Sequence, residues 1–238
     1  RNLAVGRLRS LAARFHPELN DQPSVVRSWN VQSLGWEFLQ RRKFNGERAV
    51  SAGQSAYHGF IEVGRDFATR VREDLKKHLK PKQDAIFYAY DTGALEALEW
   101  CRKQGVKCIL NQMDPNRVEV DLVRAEEKQW PGWALQAVQV PETYFARREE
   151  EWRLADRIVV NSEFSRQALQ QQGVPAEKMA VVPLCYESGD PAGTPKSRNL
   201  DQPLRVLFLG QVILRKGVQY LMETARRLTG ENIRFDIV

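Results

Sequence analysis

From residue 84 onward, short apolar runs alternate with stretches whose apolar residues recur every three to four positions. Residues 85–90, AIFYAY, form a nearly continuous apolar run, the pattern of a strand covered on both faces. Residues 91–103 read as a helix with Leu95, Ala97 and Leu98 facing inward and Gly105 closing it. The next strand is 106–110, followed by a helix over 118–127 and a Trp130-Pro131-Gly132-Trp133 turn. Pro141 opens a helix that runs to Asp156 with its many charges expected on the outer side. A strand follows at 157–161. Ser162 is placed to cap the helix after it, and Gly173 with Pro175 stops that helix. Residues 179–184 make one more strand. Strands alternating with helices predict parallel βαβ units and a doubly wound α/β sheet.

Residues 187–203, ESGDPAGTPKSRNLDQP, lack apolar periodicity and read as a linker. The alternation then restarts: strand 204–209, helix 216–228 with Val218, Leu221, Met222, Ala225 and Leu228 inward, a stop at Gly230, and strand 233–238. The predicted organisation is a Rossmann-like domain over 1–186, a linker over 187–203, and the first βαβ unit of a second Rossmann-like domain over 204–238. The first residue is Arg1 and the last strand is still running at Val238, so the chain reads as part of a longer one, without turnover by itself.

The pattern is weaker before residue 84. Phe67, Val71, Leu75 and Leu79 stand four apart in a predicted helix that Pro81 stops. Leu8, Leu11, Ala12 and Phe15 recur at helical spacing, with Arg7, Arg9 and Arg14 off that face. That segment reads as a surface helix packed on a sheet, or else as a basic patch resting on a membrane surface.

Composition changes this picture little: 42% hydrophobic and 28% charged residues are ordinary for a globular protein. Charge adds more, because a net +6 and a sequence pI near 9.3 favour anionic partners: a nucleotide, a phosphorylated sugar, an acidic lipid surface or nucleic acid. Cys101, Cys108 and Cys185 have no metal-ligand spacing, and the first two read as buried thiols. No apolar run approaches the ~20 residues that span a bilayer.

The candidate chemistry lies in Gly210-Gln211-Val212-Ile213-Leu214-Arg215-Lys216-Gly217, between a strand and a helix. A Walker A loop is excluded, since Arg215 stands where its second glycine belongs and Gly217 where its hydroxyl belongs. A dinucleotide fingerprint is excluded because a single glycine follows the strand. What remains is Arg215 and Lys216 where a helix begins. They are either a phosphate grip, with the helix N–H groups pointing the same way, or a solvated basic pair. Their place at the carboxyl end of a strand in an open α/β sheet is where ligands bind. Two further polar sites share such ends: Asp91, which also suits a helix N-cap, and Gln112 to Asp114. His16, His58 and His78 lie far apart, and the sequence contains neither an Asp-x-Asp pair nor a G-x-S-x-G elbow.

IVVNSEFSRQALQQQGVPAEKMAVVPLCYE followed by LRVLFLGQVILRKGVQYLMETARRL resembles the join between the two domains of the retaining glycosyltransferases of family 4, which have the GT-B fold. The resemblance is specific from about residue 142 and looser from 84. It implies transfer of a sugar from a nucleotide-diphosphate sugar to a carbohydrate or glycolipid acceptor, with retention, no metal and no further cofactor. It matches Arg215 and Lys216 to the family's donor-phosphate cations and Gly210 to its diphosphate-approaching glycine, in a candidate donor-phosphate site of Gly210, Gln211, Arg215, Lys216 and Gly217; Asp91, Gln112 and Asp114, at the strand ends, are the candidate catalytic residues of the facing wall. Where many members carry a first-domain histidine, this chain has Asn111-Gln112-Met113-Asp114, and the family's E-x7-E pair would fall beyond Val238. A cytoplasmic location is implied, with room for peripheral contact on the inner face of the membrane, and no nucleic-acid partner. The alternatives are another GT-B enzyme, an epimerase or phosphorylase, or a non-catalytic basic module.

Overall fold

Four parallel strands form the main sheet, hydrogen-bonded in the order β1 (Ile86–Tyr90), β2 (Lys107–Gln112), β3 (Arg157–Val160) and β4 (Met179–Val181). This is a computed structural model that describes residues 35, 49–80, 84–133, 139–185 and 202–238. Every element below belongs to the compact unit Ala49–Val238. The predicted helix around Leu8 to Phe15 and most of the predicted linker lie outside the described residues.

The strands are linked by helices, as the alternation predicts: α2 (Leu95–Lys103) between β1 and β2, then α3 (Arg117–Gln129) and α4 (Glu142–Leu154) before β3, and α5 (Glu163–Gln171) before β4. The register pairs Phe87 with Cys108, and Leu110 with Ile158. One face of the sheet therefore presents Phe87, Ala89, Cys108, Leu110, Ile158 and Val160 to the core. There they meet Leu98 and Cys101 of α2, Trp152 and Leu154 of α4, and Leu169 of α5. Cys101 and Cys108 are buried thiols, as expected, and Cys185 is exposed. Ser162 caps α5 by accepting from the Ser165 N–H at 3.2 Å.

Three expectations need correction. β1 is not covered on both faces: Ile86, Tyr88 and Tyr90 are 66, 50 and 58% exposed. The two tyrosines carry the hydroxyl that makes such a face tolerable in water, and Tyr88 accepts from Asn111 Nδ2 at 2.8 Å. The helix over 67–79 is the last part of α1 (Ala49–His78), whose Leu75, with Leu79 just beyond it, rests on the core. Finally, α4 does not keep its charges outside, because Arg147, Arg148 and Glu151 are buried along with Phe145 and Trp152.

A separate two-stranded parallel sheet pairs β5 (Leu204–Phe208) with β6 (Ile233–Ile237). Between them run a 3-10 turn (Leu214–Lys216) and α6 (Val218–Arg227). The predicted inward face of α6 is half right. Val218 is buried and Leu221, Ala225 and Leu228 are half-buried, but Met222 is exposed and Gln219 takes a buried position instead. Gln219 is turned inward because Glu126 of α3 and the Leu214 carbonyl accept from its amide. Among the described residues, no helix is long and apolar enough to cross a membrane.

Candidate functional site

At the carboxyl ends of β1 and β2 the chain builds a buried polar frame. Gln112, the last residue of β2, is fully buried and donates through Nε2 to Asp91 Oδ2 and to the Asp114 carbonyl, both at 2.9 Å. Its Oε1 accepts from Trp152 Nε1 at 2.7 Å. Arg148 of α4 lies beneath the loop. Its Nη2 donates to Asp91 Oδ2 and, at 2.8 Å, to Asp114 Oδ1, while Nη1 reaches Asn116 Oδ1 at 3.2 Å. Burial pulls the Arg148 guanidinium down, but Asp91 and Asp114 outweigh it and hold its pKa above the ordinary value. Burial also pushes the Asp91 carboxyl up, against the pull of Arg148.

The helix cap expected from Asp91 comes from elsewhere. Glu151, on α4, accepts from the backbone N–H groups of Thr92 (2.6 Å), Ala94 (3.0 Å) and Leu95 (3.1 Å). Two donors at the start of α2 and one in the turn before it are thus met by one carboxylate. Burial pushes that carboxyl up to about 7 even though these N–H groups favour its charged form. Beside it, Arg147 grips both oxygens of Glu96 at 2.8 and 2.7 Å and donates to the Thr92 carbonyl at 2.8 Å. Thr92 is held at φ 69° and Asn116 at φ 56°, both uncommon outside glycine.

Above this frame opens a cleft of about 530 Å³ between the main sheet and the second one. Its first wall includes Asp114, Glu119 of α3, and Asn161 and Ser162 after β3; its second wall includes Arg215 and Gln219. Asp114 shows 38% of its side chain. Its Oδ1 is occupied by Arg148 and by the Asn116 N–H at 2.8 Å, whereas no described residue bonds Oδ2. Across the cleft, Arg215 Nη1 donates to Glu119 Oε1 at 3.1 Å. Further along α3, Glu126 accepts from Gln219 Nε2 at 3.0 Å and from the Tyr220 hydroxyl at 2.6 Å, and Trp130 meets the Tyr220 ring edge-on.

The residues singled out in the sequence are distributed unevenly over this geometry. Arg215, Gly217 and Asp114 line the cleft. Lys216 neighbours Arg215 and is exposed, with no ion pair to a described residue. Arg215 and Lys216 are not in the first turn of the helix, as the sequence suggested, but in the 3-10 turn before it. Gly217, at φ 76°, is the left-handed joint between turn and helix. That joint keeps two cations out of the positive end of α6 while leaving them beside it. Gly210 and Gln211 are exposed on the loop after β5 and lie outside the cleft lining. Asp91 and Gln112 are sealed below the cleft and reach it only through Asp114 and its loop. Glu119, Glu126 and Arg148 were not singled out in the sequence. They sit on helices whose charges look like an ordinary solvated face, and only the fold shows which of them turn inward.

No known protein family and no curated protein sequence matches the chain.

Proposed function

We infer that this cleft belongs to a GT-B glycosyltransferase that moves a sugar from a nucleotide-diphosphate sugar to a hydroxyl acceptor, with retention at the anomeric carbon. The observation that carries the reading is the pairing of opposites across the cleft. Arg215, with Lys216 next to it, stands at the carboxyl end of β5, and Asp114, with one carboxylate oxygen unbonded among the described residues, lines the other wall. The motif resemblance over residues 142–238 supports it independently.

In this reading the donor diphosphate lies on Arg215, Lys216 and the N-terminal end of α6, and the loop of Gly210 and Gln211 flanks it. The bond from the anomeric carbon to the phosphate oxygen breaks with its electron pair going to that oxygen. Fixed cations and backbone N–H groups stabilise the growing negative charge without reorganising. Arg215 supplies a planar fork and Lys216 a compact charge, the work that a metal ion does in other transferases. The acceptor hydroxyl bonds to the anomeric carbon from the face the phosphate leaves, and its proton passes to the departing phosphate oxygen. Asp114 Oδ2 accepts from a sugar hydroxyl and so fixes the sugar against that face. Gln112 and Asp91 contribute by holding Asp114 in place.

The test is release of nucleoside diphosphate by the full-length protein from a panel of UDP- and GDP-linked sugars. Lys216→Ala is expected to lower kcat by ~10²–10³-fold, the usual loss for a transition-state donor. Unchanged turnover in Lys216→Ala would remove the role assigned to this loop.

A further inference from the structure

Arg215 already has an anionic ligand. Glu119 Oε1 accepts from its Nη1 at 3.1 Å, and both side chains are accessible from the cleft, 47% and 26% exposed. Glu119 reaches it from the first turn of α3. The attachment of α3 to the second sheet does not depend on this pair. Glu126, about two turns further on, holds Gln219 and Tyr220, and Trp130 packs on Tyr220. So the Arg215–Glu119 contact can break while the two walls stay joined.

We propose that Glu119 is an internal competitor for the diphosphate: in the empty cleft its carboxylate occupies Arg215, and an entering phosphate displaces it. This rests on the donor-site reading given above and adds a regulator to that site. The chemistry favours such an exchange. A single-point ion pair between half-exposed side chains is weak, whereas a diphosphate offers several charged oxygens to a guanidinium fork and to Lys216 together. Once displaced, Glu119 stands as an uncompensated carboxylate near the bound phosphates. It therefore opposes anions twice, by blocking Arg215 beforehand and by repelling the ligand afterwards. The device raises the affinity that any anion must supply to occupy Arg215, a threshold that a ligand engaging Arg215 and Lys216 together meets more readily than a single phosphate or carboxylate.

Inorganic pyrophosphate is the probe, because it isolates the phosphate grip from any base or sugar contact, and its affinity is measured by calorimetry on the whole chain. Arg215→Ala is expected to weaken binding at least tenfold. Glu119→Gln is expected to tighten it by about two- to fivefold, the range for removing a partly exposed competing charge. In the Glu119→Gln, Arg215→Ala double variant most of that gain should disappear, since the competition acts through Arg215. Asp121→Asn, which removes one negative charge from the exposed side of the same helix, controls for net charge and should change binding little. If Arg215→Ala weakens binding but Glu119→Gln leaves it unchanged or weaker, the donor site stands and the competitor role fails. If Arg215→Ala binds pyrophosphate as well as the parent, the donor site itself fails, and the competitor role with it.

Discussion

Arg148 donates to Asp114 at 2.8 Å from a position sealed from water, so a buried cation sets the orientation of a carboxylate that faces the cleft. The same guanidinium holds the buried Asp91. Removing one partner of such a group leaves charge without compensation in the interior. Arg148→Met is therefore expected to destabilise the fold by about 3–5 kcal/mol, read as a shift in the urea midpoint. Combining it with Asp91→Asn should recover part of that loss, because the stranded carboxylate is gone. Additive losses in the pair would show that the two side chains do not form one unit.

Glu151 carries a pH dependence of definite sign. Its carboxyl is raised by burial from an ordinary 4.5 to about 7. Between those values the folded state binds the proton more strongly than the unfolded state, so Glu151's contribution to stability falls as pH rises through the window and is level on either side. Unfolding free energies of the parent and of Glu151→Gln, compared from pH 4 to 8, should show the parent's advantage shrinking by up to about 3 kcal/mol across that window. A difference that is flat with pH, or that grows, contradicts the assignment.

How much of this could be read in the sequence depends on which interactions are local. Strand and helix positions from residue 84 were legible, because apolar periodicity records burial one element at a time. Ser162 was legible as a cap, because an N-cap and its donor lie three residues apart. Asp91 was not, since the donors it seemed placed to cap are taken by Glu151, 57 residues from Ala94 in sequence. Within the run Arg147-Arg148-Glu149-Glu150-Glu151, the burial of Arg147, Arg148 and Glu151 is not legible for the same reason: the partners that make it possible come from the loop after β1, from α2 and from the loop after β2. In the second sheet, Arg215 and Lys216 stood out as a pair at a strand's carboxyl end, but nothing local pointed to Glu119, 96 residues away.

Gly64 marks a close approach that the apolar pattern of α1 does not reveal. A Cβ added there would lie 2.2 Å from the Thr92 carbonyl oxygen, which is backbone and cannot swing aside. That carbonyl also accepts from Arg147. Gly64→Ala is expected to destabilise by about 1–3 kcal/mol through overpacking. It should also speed amide exchange at Thr92 to Leu95, whose N–H groups depend on the same loop. Parent-like exchange there would mean that α1 does not brace the loop.

The central claim is that Arg215 and Lys216 hold the diphosphate of a nucleotide-linked donor. The most direct test follows the ³¹P resonances of UDP and GDP on titration with the full-length protein and with its Arg215→Ala, Lys216→Ala double variant. The account predicts that the β-phosphate resonance of at least one of the two nucleotides shifts or broadens with the parent, and that this response is lost in the double variant while the fold is retained. Equal binding by parent and variant, or a response to neither nucleotide from the parent, would contradict it.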